Sequence, residues 1–155
     1  MSFVINICIT LITIVLMEGI TWLTHKYVMH GFLWYLHKDH HQPKYSNWFE
    51  KNDLFFIIFA VPSSLLIFFG IEQNFNEMFF VGLGILFYGI CYFIIHDVVI
   101  HQRFKWFKNI NSKYLKALRK GHKMHHKEIG KNGGESFGML LVPWKYFKEK
   151  YSSQS

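Results

Sequence analysis

From Phe3 to Leu23 the chain is apolar apart from a few small polar residues and Glu18. At about 1.5 Å per residue, a helix of this length crosses the hydrocarbon core of a bilayer. It has neither the basic leading stretch nor the small-residue cleavage site of a signal peptide, so it reads as a retained span. Residues 24–53 are polar, carry Lys26, Lys38, Lys44, Lys51 and Pro43, and predict only short helical pieces. Leu54–Gly70 is a second, rather short span in which Pro62, Ser63 and Ser64 predict a kink. The acidic connector Ile71–Glu77 leads into a third span, Met78–Ile95, where Gly82, Gly84 and Gly89 allow close helix approach. Beyond His96 no apolar run is long enough to cross again. Tyr114–Lys127 predicts a helix, and Ser136–Phe147 suits an interfacial or re-entrant position.

The pattern therefore predicts an all-α, integral-membrane helical bundle with about three transmembrane helices, organised as a single domain over residues 1–155. Composition agrees, since 17 Phe, 8 Tyr and 5 Trp exceed the aromatic content of an ordinary soluble domain. The net charge of +7 could point to nucleic acid, but the basic residues occupy only 26–51 and 103–150, between long apolar runs. That segregation follows the positive-inside rule instead, putting the N-terminus outside and the polar stretches in the cytosol. Cys8 and Cys91 sit in apolar runs outside any CxxC motif and read as small buried residues, so they supply no iron–sulfur cluster. No glycine-rich nucleotide fingerprint occurs, so electrons for a redox reaction must come from another protein.

All 10 histidines fall into two matching sets, each reading HxxxxH and then HxxHH: His25, His30, His37, His40, His41 and His96, His101, His122, His125, His126. Each set begins where an outside-to-inside span ends, so both reach the same face. Neutral imidazole is the commonest protein ligand for iron, zinc, copper and nickel, and the doubled set suggests two metal ions or one dinuclear centre. Within HxxHH the rings at i, i+3 and i+4 share a helix face. HxxxxH differs, because five residues turn an α-helix by about 500° and leave the rings apart. Both can ligate if the helix widens into a π-turn or ends between them, as it could at Gly31. Asp39 and Asp97 are placed to orient imidazoles. Glu18, ionisable inside a span, is either a hydrogen-bonded partner to a helix or has a role near the pocket. Eight to ten nitrogens without thiolate exceed a structural zinc site, which closes at four ligands. Two irons open to oxygen fit better, although a zinc pair for hydrolysis is not excluded by imidazole alone. The aromatic membrane interior implies an apolar substrate, and Trp22, Tyr27, Trp34, Tyr88 and Tyr92 either line its path or form an interfacial belt.

The motifs HKYVMHG at His25–Gly31, HKDHHQP at His37–Pro43, ND at Asn52–Asp53, HDVVIHQR at His96–Arg103, HKMHH at His122–His126 and ESFGMLLVP at Glu135–Pro143, with MEG at Met17–Gly19, span nearly the whole chain. In these the sequence closely resembles the bacterial β-carotene 3-hydroxylases of the fatty acid hydroxylase and sterol desaturase superfamily. The resemblance implies a non-heme di-iron monooxygenase that uses O2 and electrons from ferredoxin and its NAD(P)H reductase. The reaction implied converts β-carotene through β-cryptoxanthin to zeaxanthin, and the ligands implied are all ten histidines. It also implies the bacterial inner (cytoplasmic) membrane, with a histidine-rich cap on the cytosolic side. Two alternatives are a di-iron hydroxylase or desaturase of fatty acyl or sterol lipids, and a non-catalytic metal carrier or channel. A transporter should hold ionisable ligands at the bilayer midplane, whereas these histidines cluster at one surface.

Overall fold

A computed structural model describes residues 2–42, 49–107 and 112–148. Pro43, Lys44 and Lys150 lie outside these residues. All the regular elements among the described residues are helices, without strands. Helix α1 covers Phe3–Leu23, begins with Ser2 accepting from the Ile5 amide, and passes directly into a π-helical segment, Thr24–Phe32. The α2 helix (Trp34–His41) follows. A 3-10 turn at Lys51–Asp53 leads into α3 (Leu54–Glu72), two residues longer than expected and uninterrupted by Pro62. After a turn with Asn74 and Phe75 at positive φ, Asn76 caps α4 (Glu77–Phe93), which again continues as a π-helical segment, Ile94–Ile100. The α5 helix (Lys113–Lys127) and the short α6 (Lys145–Lys148) complete the chain.

Three helical stretches, Phe3–Phe32, Lys51–Glu72 and Glu77–Ile100, are long and apolar enough to cross a membrane. Only 11–17% of the residues in their apolar windows are buried within the protein, so most of that surface needs lipid against it. The 21 residues of α1 alone cover about 31 Å, the thickness of the hydrocarbon core, which lifts the π segment and its histidines to the interface.

Small residues set how closely the helices meet. A Cβ on Gly82 would lie 2.9 Å from the Ile67 nitrogen and the Ser63 carbonyl oxygen of α3, and one on Gly84 would lie 2.5 Å from Thr13 Cβ of α1. Gly89 differs from the expectation, since a Cβ there meets nothing within 4 Å. Ser63 donates to the Gly82 carbonyl at 2.8 Å, tying α3 to α4. Cys8 and Cys91 correct a second expectation, for both are exposed on the apolar exteriors of α1 and α4. Because Gly84 has no room to yield, Gly84→Leu should separate α1 from α4 and cost about 1–3 kcal/mol, read as a lower midpoint of thermal unfolding in detergent. Gly89→Leu should leave the midpoint unchanged.

Candidate metal centre

The two π segments resolve the HxxxxH geometry. An i to i+5 hydrogen bond brings the fifth residue over the first, and His101 N donates to the His96 carbonyl at 2.9 Å in this way. The ring centroids of His96 and His101 are then 4.5 Å apart, and those of His25 and His30 are 5.2 Å apart. Of the two routes considered for the first motif, the widening occurs: the π segment runs through both His25 and His30, and the non-helical Gly31 follows His30 instead of separating the pair.

All ten imidazoles meet in one buried volume, but not by halves of the chain. One cluster holds His25, His30, His37, His41 and His125, with one ligand nitrogen from each within 4.8 Å of every other. A second holds His40, His101, His122 and His126 within the same limit. His96 borders the second, its Nε2 lying 3.1 Å from that of His40. In each HxxHH the rings at i and i+4 stay with their own set, while the ring at i+3, turned about 100° from its neighbour, crosses to the other. His40 and His125 are the exchanged pair. The clusters adjoin, since His41 stacks on His126 with centroids 4.5 Å apart.

Seven of the rings have their Nδ1 against an oxygen that can only accept. His25 Nδ1 donates to the Phe137 carbonyl (3.0 Å), His30 to Lys131 (3.1 Å), His41 to Glu128 (2.9 Å) and His125 to Glu135 (2.9 Å). His37 donates to Asn52 Oδ1 (2.6 Å), His40 to Glu50 (2.7 Å) and His96 to Asp97 (3.2 Å). In a neutral ring this fixes the proton on Nδ1 and leaves Nε2 a bare lone pair. Those lone pairs then face one another: His25 to His37 at 3.1 Å, His37 to His41 at 3.2 Å, His30 to His125 at 3.2 Å and His40 to His96 at 3.1 Å. Two acceptors with no proton between them repel at this range. Nitrogens at ~2.0–2.1 Å from one transition-metal ion stand about 3 Å from each other, so the donor set fits metal ions.

Electrostatics point the same way. Burial, reinforced by neighbouring imidazoles, lowers His41 to about 4, His126 to about 3 and His125 to about 2. His37 falls to about 3 despite the opposing Asn52 hydrogen bond, and His40, His101 and His122 also lie well below the ordinary range. These rings are neutral, hence competent to ligate, at physiological pH. An unfolded chain protonates its histidines near 6.5. Above that value the folded and unfolded chains bind equal numbers of protons here; below it only the unfolded chain takes them up. The metal-free protein should therefore lose stability as pH falls from about 6.5 toward the folded values of 3–4. A thermal midpoint that drops between pH 7 and pH 5 is expected, and a flat one would contradict the assignment of neutral rings.

The supports of the two clusters differ. Neutral oxygens hold the Nδ1 atoms of the five-histidine cluster, whereas carboxylates hold His40 and His96. Arg103 joins those carboxylates, lying 3.1 Å from Glu50, 2.9 Å from Asp53 and 3.1 Å from Asp97. Asp97 thus orients an imidazole as expected. Asp39 does not; its carboxylate accepts from the Lys51 amide at 2.6 Å. Sequence reading missed Glu50, the role of Asn52 and the four backbone carbonyls of 128–137, which carry no side-chain signal. Glu50 and Arg103 had one, as opposite charges flanking histidine motifs.

Glu18 is a hydrogen-bonded partner to α4 through Tyr88, as one alternative expected, and also to the backbone of a non-helical segment, which was not expected. Its Oε1 accepts from the amides of Met139 (3.0 Å), Leu140 (2.9 Å) and Leu141 (2.8 Å), and its Oε2 from the Tyr88 hydroxyl at 2.7 Å. The Ser136–Phe147 segment is therefore pinned to α1, with Phe137 packed on His25, His30 and His125. Of the aromatics considered for a substrate path, Trp34 and Tyr92 rest on histidines, Trp22 packs edge-on to Phe137, and Tyr27 is exposed.

The chain is similar to known proteins over most of its length. The chain is 42% identical over 144 residues to a β-carotene hydroxylase of Pantoea ananas, covering 92% of this chain and 81% of the relative. It is 37% identical over 138 residues to a β-carotene hydroxylase of Pseudescherichia vulneris, covering 89% and 77%. A chloroplastic β-carotene 3-hydroxylase of Haematococcus lacustris is 41% identical over 125 residues, which are 77% of this chain and 38% of that longer protein. No solved structure matches. Residues 10–148, from the middle of α1 to the end of α6 and including every histidine, match the fatty acid hydroxylase family, to which this chain therefore belongs.

Proposed function

We propose that the protein is a membrane-embedded carotenoid β-ring 3-hydroxylase, acting as one unit over residues 1–155 and converting β-carotene through β-cryptoxanthin to zeaxanthin. The observation that carries this reading is the pair of adjoining imidazole clusters, Nε2 lone pairs inward, at one end of three apolar helices. The activity named for the bacterial relatives, which align with most of the chain, supports the substrate class. His25, His30, His37, His41 and His125 would hold one iron, and His40, His96, His101, His122 and His126 the other. Ferrous iron bound there would supply reducing equivalents that activate O2 for insertion into an unactivated C–H bond. The two electrons consumed per turnover would come from a ferredoxin and its NAD(P)H reductase, which would return the iron to the ferrous state, and the segregation of the basic residues supports a cytosolic face of the inner membrane for the clusters.

The chain's own residues do the positioning. Carbonyls of Glu128, Lys131, Glu135 and Phe137 hold four rings in one tautomer, and Glu50, Asp97 and Arg103 do so for His40 and His96. Burial keeps water from the rings, and the apolar exteriors of α1, α3 and α4 keep the substrate's polyene in lipid. Expression in a β-carotene-producing bacterium should yield zeaxanthin, and His40→Ala should abolish it. Unchanged β-carotene beside folded, iron-loaded protein would overturn the reading, and oxidised acyl lipids or sterols in the same cells would favour a lipid substrate.

A further inference from the structure

We propose that a groove between α1 and the Ser136–Pro143 segment receives the hydrocarbon ring end of the substrate, and that Gly19 sets its width; this rests on the carotenoid reading above. The groove has a volume of about 580 Å³, and its walls include Val15, Gly19 and Trp22 on one side and Phe137, Leu141 and Pro143 on the other. That size lies in the ordinary range for small-molecule sites and leaves room for a ring with the start of its polyene.

Three observations define the occupant. First, the groove offers little polar chemistry. Glu18 lies in its lining, but both carboxylate oxygens are taken by the Met139–Leu141 amides and the Tyr88 hydroxyl. The hydroxyl of Ser136, also in the lining, packs toward Gly121 of α5. A guest with no polar group suits such walls. Second, the mouth opens on the apolar exterior, where Val15 is 73% and Leu141 74% exposed, so the guest arrives from lipid. Third, the inner wall is Phe137, whose ring centroid lies 5.4 Å from that of His25, 5.2 Å from His30 and 5.1 Å from His125. A ring pressed against Phe137 is one side chain away from the five-histidine cluster.

Gly19, like Gly89, is a helix glycine that packing does not explain, but unlike Gly89 it lines a groove. A glycine inside a helix costs about 1 kcal/mol relative to alanine. Unlike Gly84, which another helix approaches, Gly19 would have nothing within 4 Å of an added Cβ. Because Gly19 lines the groove and has open space around it, a large side chain there has room to project over the groove. Gly138, on the facing wall, is glycine for a local reason, since its Cβ would meet Glu18 Oε1 at 2.9 Å.

The test compares Gly19→Phe and Leu141→Trp, which narrow the groove from opposite walls, with Gly89→Phe, an equally unencumbered helix glycine away from it. Each variant is purified in detergent from β-carotene-producing cells, and retained β-carotene, hydroxylated products and iron per chain are measured. Both groove variants should keep wild-type iron while retained β-carotene and products fall at least tenfold, and Gly89→Phe should stay within twofold. Iron-loaded Gly19→Phe or Leu141→Trp protein within twofold of wild type would overturn the groove assignment while leaving the carotenoid reading intact. A wild-type chain that is iron-loaded yet neither retains nor hydroxylates β-carotene would overturn both.

Discussion

Replacing His125 with alanine is expected to lower hydroxylation at least about a hundredfold and to reduce bound iron from two ions per chain toward one, since loss of even an orienting partner commonly costs 10–100-fold. The informative comparison is with double variants. His125 belongs to the second histidine set by sequence but faces His25, His30 and His41 in space, with its Nε2 3.2 Å from that of His30. His25→Ala with His125→Ala should therefore damage one cluster twice and leave one ion bound, whereas His25→Ala with His122→Ala should damage both and leave none. If the ligands were divided by halves of the chain, the first pair would strip both ions. Lys123→Ala, an exposed neighbour on the same helix, should change neither iron content nor activity.

The second large effect is expected at Glu18, which is not itself one of the candidate ligands. Glu18→Ala removes the acceptor of three consecutive backbone amides and of the Tyr88 hydroxyl, all at buried or partly buried positions. Unpaired donors of this kind cost about 1–3 kcal/mol each, so a loss of about 3 kcal/mol or more is expected in unfolding experiments. Activity should fall with stability, because the released segment carries the Phe137 carbonyl that holds His25 Nδ1. Glu18→Gln retains one side-chain oxygen for the amides and should fall between the two. A Glu18→Ala protein with wild-type unfolding would show that the segment is held elsewhere.

The spans were legible because a bilayer crossing demands a long unbroken apolar run, and α1 ends at Leu23 as expected. The histidines were legible as candidate ligands because they recur at helix-face spacing. Their allotment was not. Whether the ring at i+3 of an HxxHH helix joins its own set depends on what packs against the opposite face, and here that is the other HxxHH helix. The choice between a π-turn and a broken helix was open for a similar reason: α and π turns differ by one hydrogen-bonded residue, and the side chains around His25 and His96 permit either. Backbone carbonyls leave no trace in composition, so the support of four imidazoles by residues 128–137 could only be seen in three dimensions. Gly89 and the two cysteines show the opposite error. In a membrane helix a small or apolar residue packs or faces lipid equally well, so its type does not tell which.

In the proposed centre, both halves of the chain enclose two adjoining ions through nitrogen. Anaerobic titration of the metal-free protein with ferrous iron, followed by X-ray absorption at the iron edge, tests this directly. Saturation at two ions per chain, with an inner shell of nitrogen and oxygen and no sulfur, is the expected result. Saturation at one ion, or an inner shell containing thiolate, would contradict it.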